Sequence, residues 1–103
     1  MPARTRRRYA SVHPGEILRE EFLEPLGITM YRLAADTGMP ADRVGRLVRG
    51  MRAFSADTAL RLAAYFKTSP EFWMNLQSRY DLEVARDAGG AKTVAKIKPF
   101  KAA

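Results

Sequence analysis

Four arginines, Arg43, Arg46, Arg49 and Arg52, follow one another with no acid after Asp42. A guanidinium can donate two parallel hydrogen bonds to guanine O6 and N7, and an aspartate can accept one from cytosine N4. The plain alternative is a solvated basic face. Three arginines on one exposed helical face repel one another, however, unless a polyanion meets them. The rest of the chain offers little other chemistry. It contains no Cys, which removes thiol nucleophiles, disulfides and thiolate metal sites and fits a reducing, cytoplasmic setting. Its one histidine, His13, stands beside Pro14 at a helix start, where it reads as a cap or surface residue. Glu20 and Glu21 are adjacent, so on a helix they point about 100° apart and cannot share a proton or a metal. An enzyme is not expected, nor is a metal or cofactor.

Arginines that read bases need a helix held at a fixed angle. The segment from Thr29 to Gly50, TMYRLAADTGMPADRVGRLVRG, has the parts for one. Thr29 can cap a helix that turns Leu33 and Ala34 inward, and Gly38 supplies the left-handed residue that ends it. The next helix spans about 41–49, with Val44, Leu47 and Val48 inward, and stops at Gly50. Two short helices joined by a tight glycine turn cross steeply, so the contact must be small, and Ala34 is small. The helical wheel leaves Ala41, Asp42, Arg43, Gly45, Arg46 and Arg49 outward. A helix so placed enters the major groove with its N-terminal residues against base edges. Ala41, Asp42, Arg43 and Arg46 are therefore the candidate base contacts. Arg49 and Arg52 lie at and beyond the far end and are candidate phosphate contacts. Ser55, at the start of a fourth helix, and Arg32, on the second, are expected to meet phosphates as well.

Three further helices complete an all-α reading with five helices in all. The first runs from about Pro14 to Glu24, with Ile17, Leu18, Phe22 and Leu23 on its apolar face; Pro25 and Gly27 close it. Ser55 caps the fourth, in which Ala59, Leu60, Leu62, Ala63 and Phe66 repeat at helical spacing. Ser69-Pro70-Glu71 opens the fifth with a cap, a proline in the first turn and a favourable acid. That helix has apolar residues on more than one side: Phe72, Trp73, Leu76, Tyr80, Leu82 and Val84. A single small core does not bury them all, so they are assigned to a two-fold dimer interface, which calls for an inverted-repeat operator.

Charge placement divides the chain of 103 residues. Residues 1–13 carry four arginines and no acid, and residues 88–103 carry four lysines and no acid. The net charge is +7, so the stretch between is close to neutral. A local basic stripe on a neutral body is the footprint expected for a polyanion partner. The organisation expected is a basic N-terminal tail over 1–12, a helix-turn-helix domain over 13–87 and a basic C-terminal tail over 88–103. Both tails are expected to be flexible, because lysines interleave with Val94, Ile97 and Phe100. No apolar stretch follows the N-terminal arginines, and no run is long enough to span a membrane.

The turn segment resembles the Cro-like (Xre-type) repressor class of helix-turn-helix. A longer likeness is to the HigA family of antitoxins, carried by HPGEILREEFLEPLGIT at 13–29, LA....G at 33–38, the Arg-rich third helix and DTALRLAAYFKTSPEFWMNLQSRYDLEVA at 57–85. Pro40 stands where the repressor class usually places a Ser or Thr cap. The resemblance implies an antitoxin that binds its own operator as a dimer and neutralises a RelE-like mRNA endonuclease toxin. The competing reading is a free-standing repressor without a toxin. A toxin that cuts mRNA should be basic, and Glu16, Glu20 and Glu24, four residues apart and flanked by Glu21, form an acidic stripe that could receive it.

Overall fold

The structure is a computed structural model that describes residues 12–101. The Arg-rich N-terminus, Arg4 to Arg8, lies outside the described residues. Five helices form the body. Helix α1 spans 14–26, α2 is Met30–Thr37, α3 is Ala41–Val48, α4 is Ala56–Phe66 and α5 is Pro70–Ala85. A short α6, Ala91–Ala95, follows a kink at Gly89 (φ 106°).

The expected caps are in place. Thr29, Ser55 and Ser69 each accept a hydrogen bond from the backbone N–H three residues on, at 3.0, 3.3 and 3.1 Å. Gly38 closes α2 in the left-handed region at φ 75°. Pro40 leads into α3 without a side-chain cap bond. Met39, buried between Gly38 and Pro40, pins the turn to the core instead.

Helix α1 departs from the expectation. It passes through Pro25 and ends at Gly27 (φ 67°). Proline has no N–H, and its ring clashes with the carbonyl four residues back. The helix answers by widening over Leu18–Leu23 into a π-helical turn, with the Glu24 N–H donating to the Arg19 carbonyl. A π-helical turn stacks residues five apart rather than four. Arg19 accordingly bridges Glu24 at 3.1 Å and Glu20 at 3.3 Å. The Glu16, Glu20, Glu24 series is thus no bare four-residue stripe, because the register shifts and an arginine sits within it.

Leu18, Leu33, Val44, Leu47, Leu62 and Trp73 are the fully enclosed centre of one core shared by all five helices. Trp73 stacks on Phe54 at 5.8 Å and donates its indole N–H to Thr68 Oγ1 at 2.9 Å. Two assignments to the dimer interface are corrected here. Trp73 is enclosed by Phe22, Phe54 and Phe66, and Leu76 is buried at the floor of a groove with Ile17 and Phe22, so both belong to the protomer's own core rather than to a two-fold interface. The tail reading is corrected in part: Ala91–Ala95 is helical, although none of its residues is buried. No helix among the described residues is long and apolar enough to cross a membrane.

Candidate nucleic-acid interface

Helix α3 is held from three sides. From α1, Gly15 presses against its last turn: a Cβ on Gly15 would lie 1.9 Å from the Leu47 carbonyl oxygen. His13 caps α1 by accepting the Gly15 N–H on Nδ1 at 2.9 Å, and its ring lies edge-on to Tyr80 at 5.0 Å. From α2, Leu33 and Ala34 meet the inward face of α3, where Val44, Leu47 and Val48 are buried. From α4, Asp57 Oδ2 accepts from Arg43 Nη1 at 2.8 Å and from Arg61 Nε at 3.0 Å. Arg61 Nη1 in turn donates to the Thr37 carbonyl at 2.8 Å, which satisfies the end of α2 at the turn. These two guanidiniums hold the Asp57 carboxyl below the usual carboxylate range.

The candidate base contacts do not all remain on the outer face. Ala41, Asp42 and Arg46 are exposed. Arg46 Nε meets Asp42 Oδ2 at 3.2 Å, with the side chains 55% and 76% exposed. Such an exposed pair is worth well under about 1 kcal/mol and yields readily to a base. Arg43, the other expected reader, is folded back onto α4: its side chain is 18% exposed and also reaches Thr58 Oγ1 at 3.2 Å. Gly45, read as outward, is buried. The Arg49 guanidinium lies over it, 3.1 Å from where a Cβ would stand.

The candidate phosphate contacts surround this face. Arg49, Arg52 and Ser55 are exposed at the end of α3, in the following loop and at the start of α4. Arg32 is exposed on α2, paired with Asp36 at 3.0 Å. Gln77 was not singled out from sequence, yet it orders this loop. It is buried on α5, accepts the Phe54 N–H at 2.8 Å and donates to Asp81 Oδ1 at 2.9 Å. The signal was present, since Gln77 lies four residues after Trp73 on the inward face of α5. Asp57 and Arg61 carried no such signal.

His13 makes this packing sensitive to pH. Burial is the main influence on its ring and holds its pKa below the ordinary 6.5, against smaller opposing effects of Asp81 and a backbone hydrogen bond with Arg52. Its neutral form is therefore favoured in the folded state, and the unfolded chain binds the extra proton first. Stability should be full above pH 6.5 and decline as the pH falls through that value. His13→Asn keeps a capping side chain without the titration. Its melting temperature should fall less between pH 7 and pH 5 than that of the native protein, and equal falls would show that His13 contributes nothing.

Comparison with known proteins places this geometry. A family model described as Helix-turn-helix matches residues 19–73. Antitoxin HigA-1 of Vibrio cholerae is 44% identical over 79 residues, covering 77% of this chain and 72% of that protein. The chain belongs to the HigA family. Virulence-associated protein I of Dichelobacter nodosus is a further relative, 45% identical over 75 residues, 73% of this chain and 69% of its own length. The solved structure of the Pseudomonas aeruginosa antitoxin HigA with the higBA promoter superposes with a TM-score of 0.83 at 46% identity. That match covers 88% of this chain and 99% of that one. The all-helical fold read from the sequence is the fold of the HigA relatives, which are regulators rather than enzymes.

Proposed function

We propose that this HigA-family chain is the antitoxin of a toxin–antitoxin module, which represses its own operon and neutralises a RelE-like mRNA endonuclease. The observation that carries the DNA half is the outer face of α3, where Ala41, Asp42 and Arg46 stand exposed with Arg49, Arg52, Ser55 and Arg32 around them. Arg46 reads guanine, Asp42 accepts from cytosine, and the surrounding arginines and the α4 N-terminus take phosphates. The relative solved with its promoter supports this use of the face.

The chain acts as a dimer joined through the second half of α5. Leu82 and Val84 are 54% and 46% exposed there, whereas Phe72, 37% exposed, lies beside Phe22 on the α1 side. Tyr80, half-buried against His13, borders the junction. Two recognition helices so paired would stand about 34 Å apart on an inverted repeat.

The toxin docks on α1. Glu21 and Glu24 are exposed, Glu16 and Glu20 half-buried, and Glu21 borders a groove of about 250 Å³ with Ile17, Phe22, Phe72 and Leu76. Glu21 lies on the side of α1 beside Phe72 and Leu76 of α5, and only Glu16 shares a cleft with Arg49, so operator and toxin would meet at that edge alone. The test is a titration of the native protein and of Glu20→Lys, Glu24→Lys against the DNA upstream of its gene and against the small basic protein that co-purifies from its host. The double variant should lose toxin affinity, with a weaker salt dependence, and keep operator binding. Unchanged toxin affinity would place the toxin elsewhere. Operator binding with no co-purifying partner would make the chain a free-standing repressor.

A further inference from the structure

We infer that Arg43 is not a base reader but a positioning residue, and that Asp57 sets the specificity of α3 by holding it. The inference rests on the DNA-binding reading above. The geometry is a chain of charge-assisted hydrogen bonds: Arg43 to Asp57 at 2.8 Å, Arg61 to Asp57 at 3.0 Å, and Arg61 to the Thr37 carbonyl at 2.8 Å. It links the recognition helix, the first turn of α4 and the last turn of α2. Asp57 therefore ties the angle of α3 to the turn that creates it.

Two comparisons within α3 separate Arg43 from Arg46. Both carboxylates are exposed, but Arg46 is 55% exposed and reaches four residues along its own helix, whereas Arg43 is 18% exposed and spans fourteen residues to another helix. The partner of Arg43 is also fixed a second time by Arg61, and Thr58, fully buried, takes another of its bonds. Moving Arg43 to a base would leave that network short of a donor. The charge balance points the same way. Asp57 sits two residues from Ser55, where a phosphate is expected, and a bare carboxylate there would repel it. Arg43 and Arg61 cancel that charge and leave the α4 N-terminus usable. A free Arg43 at this edge would be an extra mobile cation able to meet any phosphate, and phosphate contacts carry no sequence information.

The test uses two variants of the full chain. Asp57→Asn keeps the shape of the side chain and removes its charge. The ratio of operator affinity to random-sequence affinity should fall by about tenfold, the scale of one weakened base contact. The plot of log affinity against log salt should steepen by about one, because Arg43 is free to take a phosphate. Arg43→Ala breaks the same tie, so it should lower the same ratio without steepening the salt plot and without a loss confined to one base pair. Loss of preference at one base pair in Arg43→Ala would overturn the inference, as would an unchanged ratio and slope in Asp57→Asn. If the native protein selects no sequence at all, the DNA-binding reading fails by itself. Amide exchange in the free protein then decides this one: α3 should exchange faster in Asp57→Asn, and equal rates would overturn it.

Discussion

Gly15→Ala is expected to cost about 1–3 kcal/mol of stability, as overpacking a tight contact does, and to weaken operator binding in the molecules that remain folded. The added methyl would stand 1.9 Å from the Leu47 carbonyl oxygen and 3.0 Å from its carbon. The obstacle is backbone, so no side-chain rotation relieves it. Helices α1 and α3 must separate, and α3 is the helix that presents Asp42 and Arg46. A second glycine on the same helix separates this effect from general strain. Gly27, at φ 67° with nothing within 4 Å of its would-be Cβ, closes α1 far from α3. Gly27→Ala should lose some stability through backbone strain and keep its operator affinity. Urea unfolding and gel-shift titration of both variants give the comparison. An unchanged unfolding midpoint and full affinity in Gly15→Ala would show that α1 does not set α3.

Arg46→Ala should show the opposite pattern, a loss of binding without a loss of fold. Its guanidinium is exposed and, among the described residues, held only by Asp42. Stability should therefore stay within about 0.5 kcal/mol of native, as for most surface changes. Each bidentate base contact is worth about 1–3 kcal/mol of discrimination, or roughly five- to 150-fold in affinity. A dimer loses the contact in both half-sites. Binding-site selection should show relaxed preference at one base pair in each half-site. Native affinity and an unchanged footprint would remove Arg46 from the readout.

Much of the helix framework was legible because its signals are local. A cap acts within three residues and a left-handed glycine within one turn, so Thr29, Gly38, Ser55 and Ser69 could be assigned without knowing the fold. Most of the corrected assignments depend on a partner distant in sequence. Arg43 appears outward on a helical wheel, which cannot know that Asp57 approaches from fourteen residues on. Gly45 appears outward for a different, local reason: the wheel does not show the Arg49 side chain, four residues on, bending back over it. Trp73 and Leu76 were assigned to a partner because the sequence could not tell how far α1 and α4 close over α5. The π-helical turn was foreshadowed by Pro25, but proline more often ends a helix than widens it.

The buried bond between Gln77 and the Phe54 N–H changes what association must accomplish. It immobilises the connection between α3 and α4, which carries Arg52 and leads to Ser55, before any DNA is present. Ordering a backbone residue costs about 1–2 kcal/mol at 25 °C. Here that cost falls on folding of the protein rather than on capture of the duplex. Association should then resemble the docking of a rigid body, with a heat-capacity change that reflects only the area brought into contact. It should lack the larger negative contribution seen when a segment folds on its target.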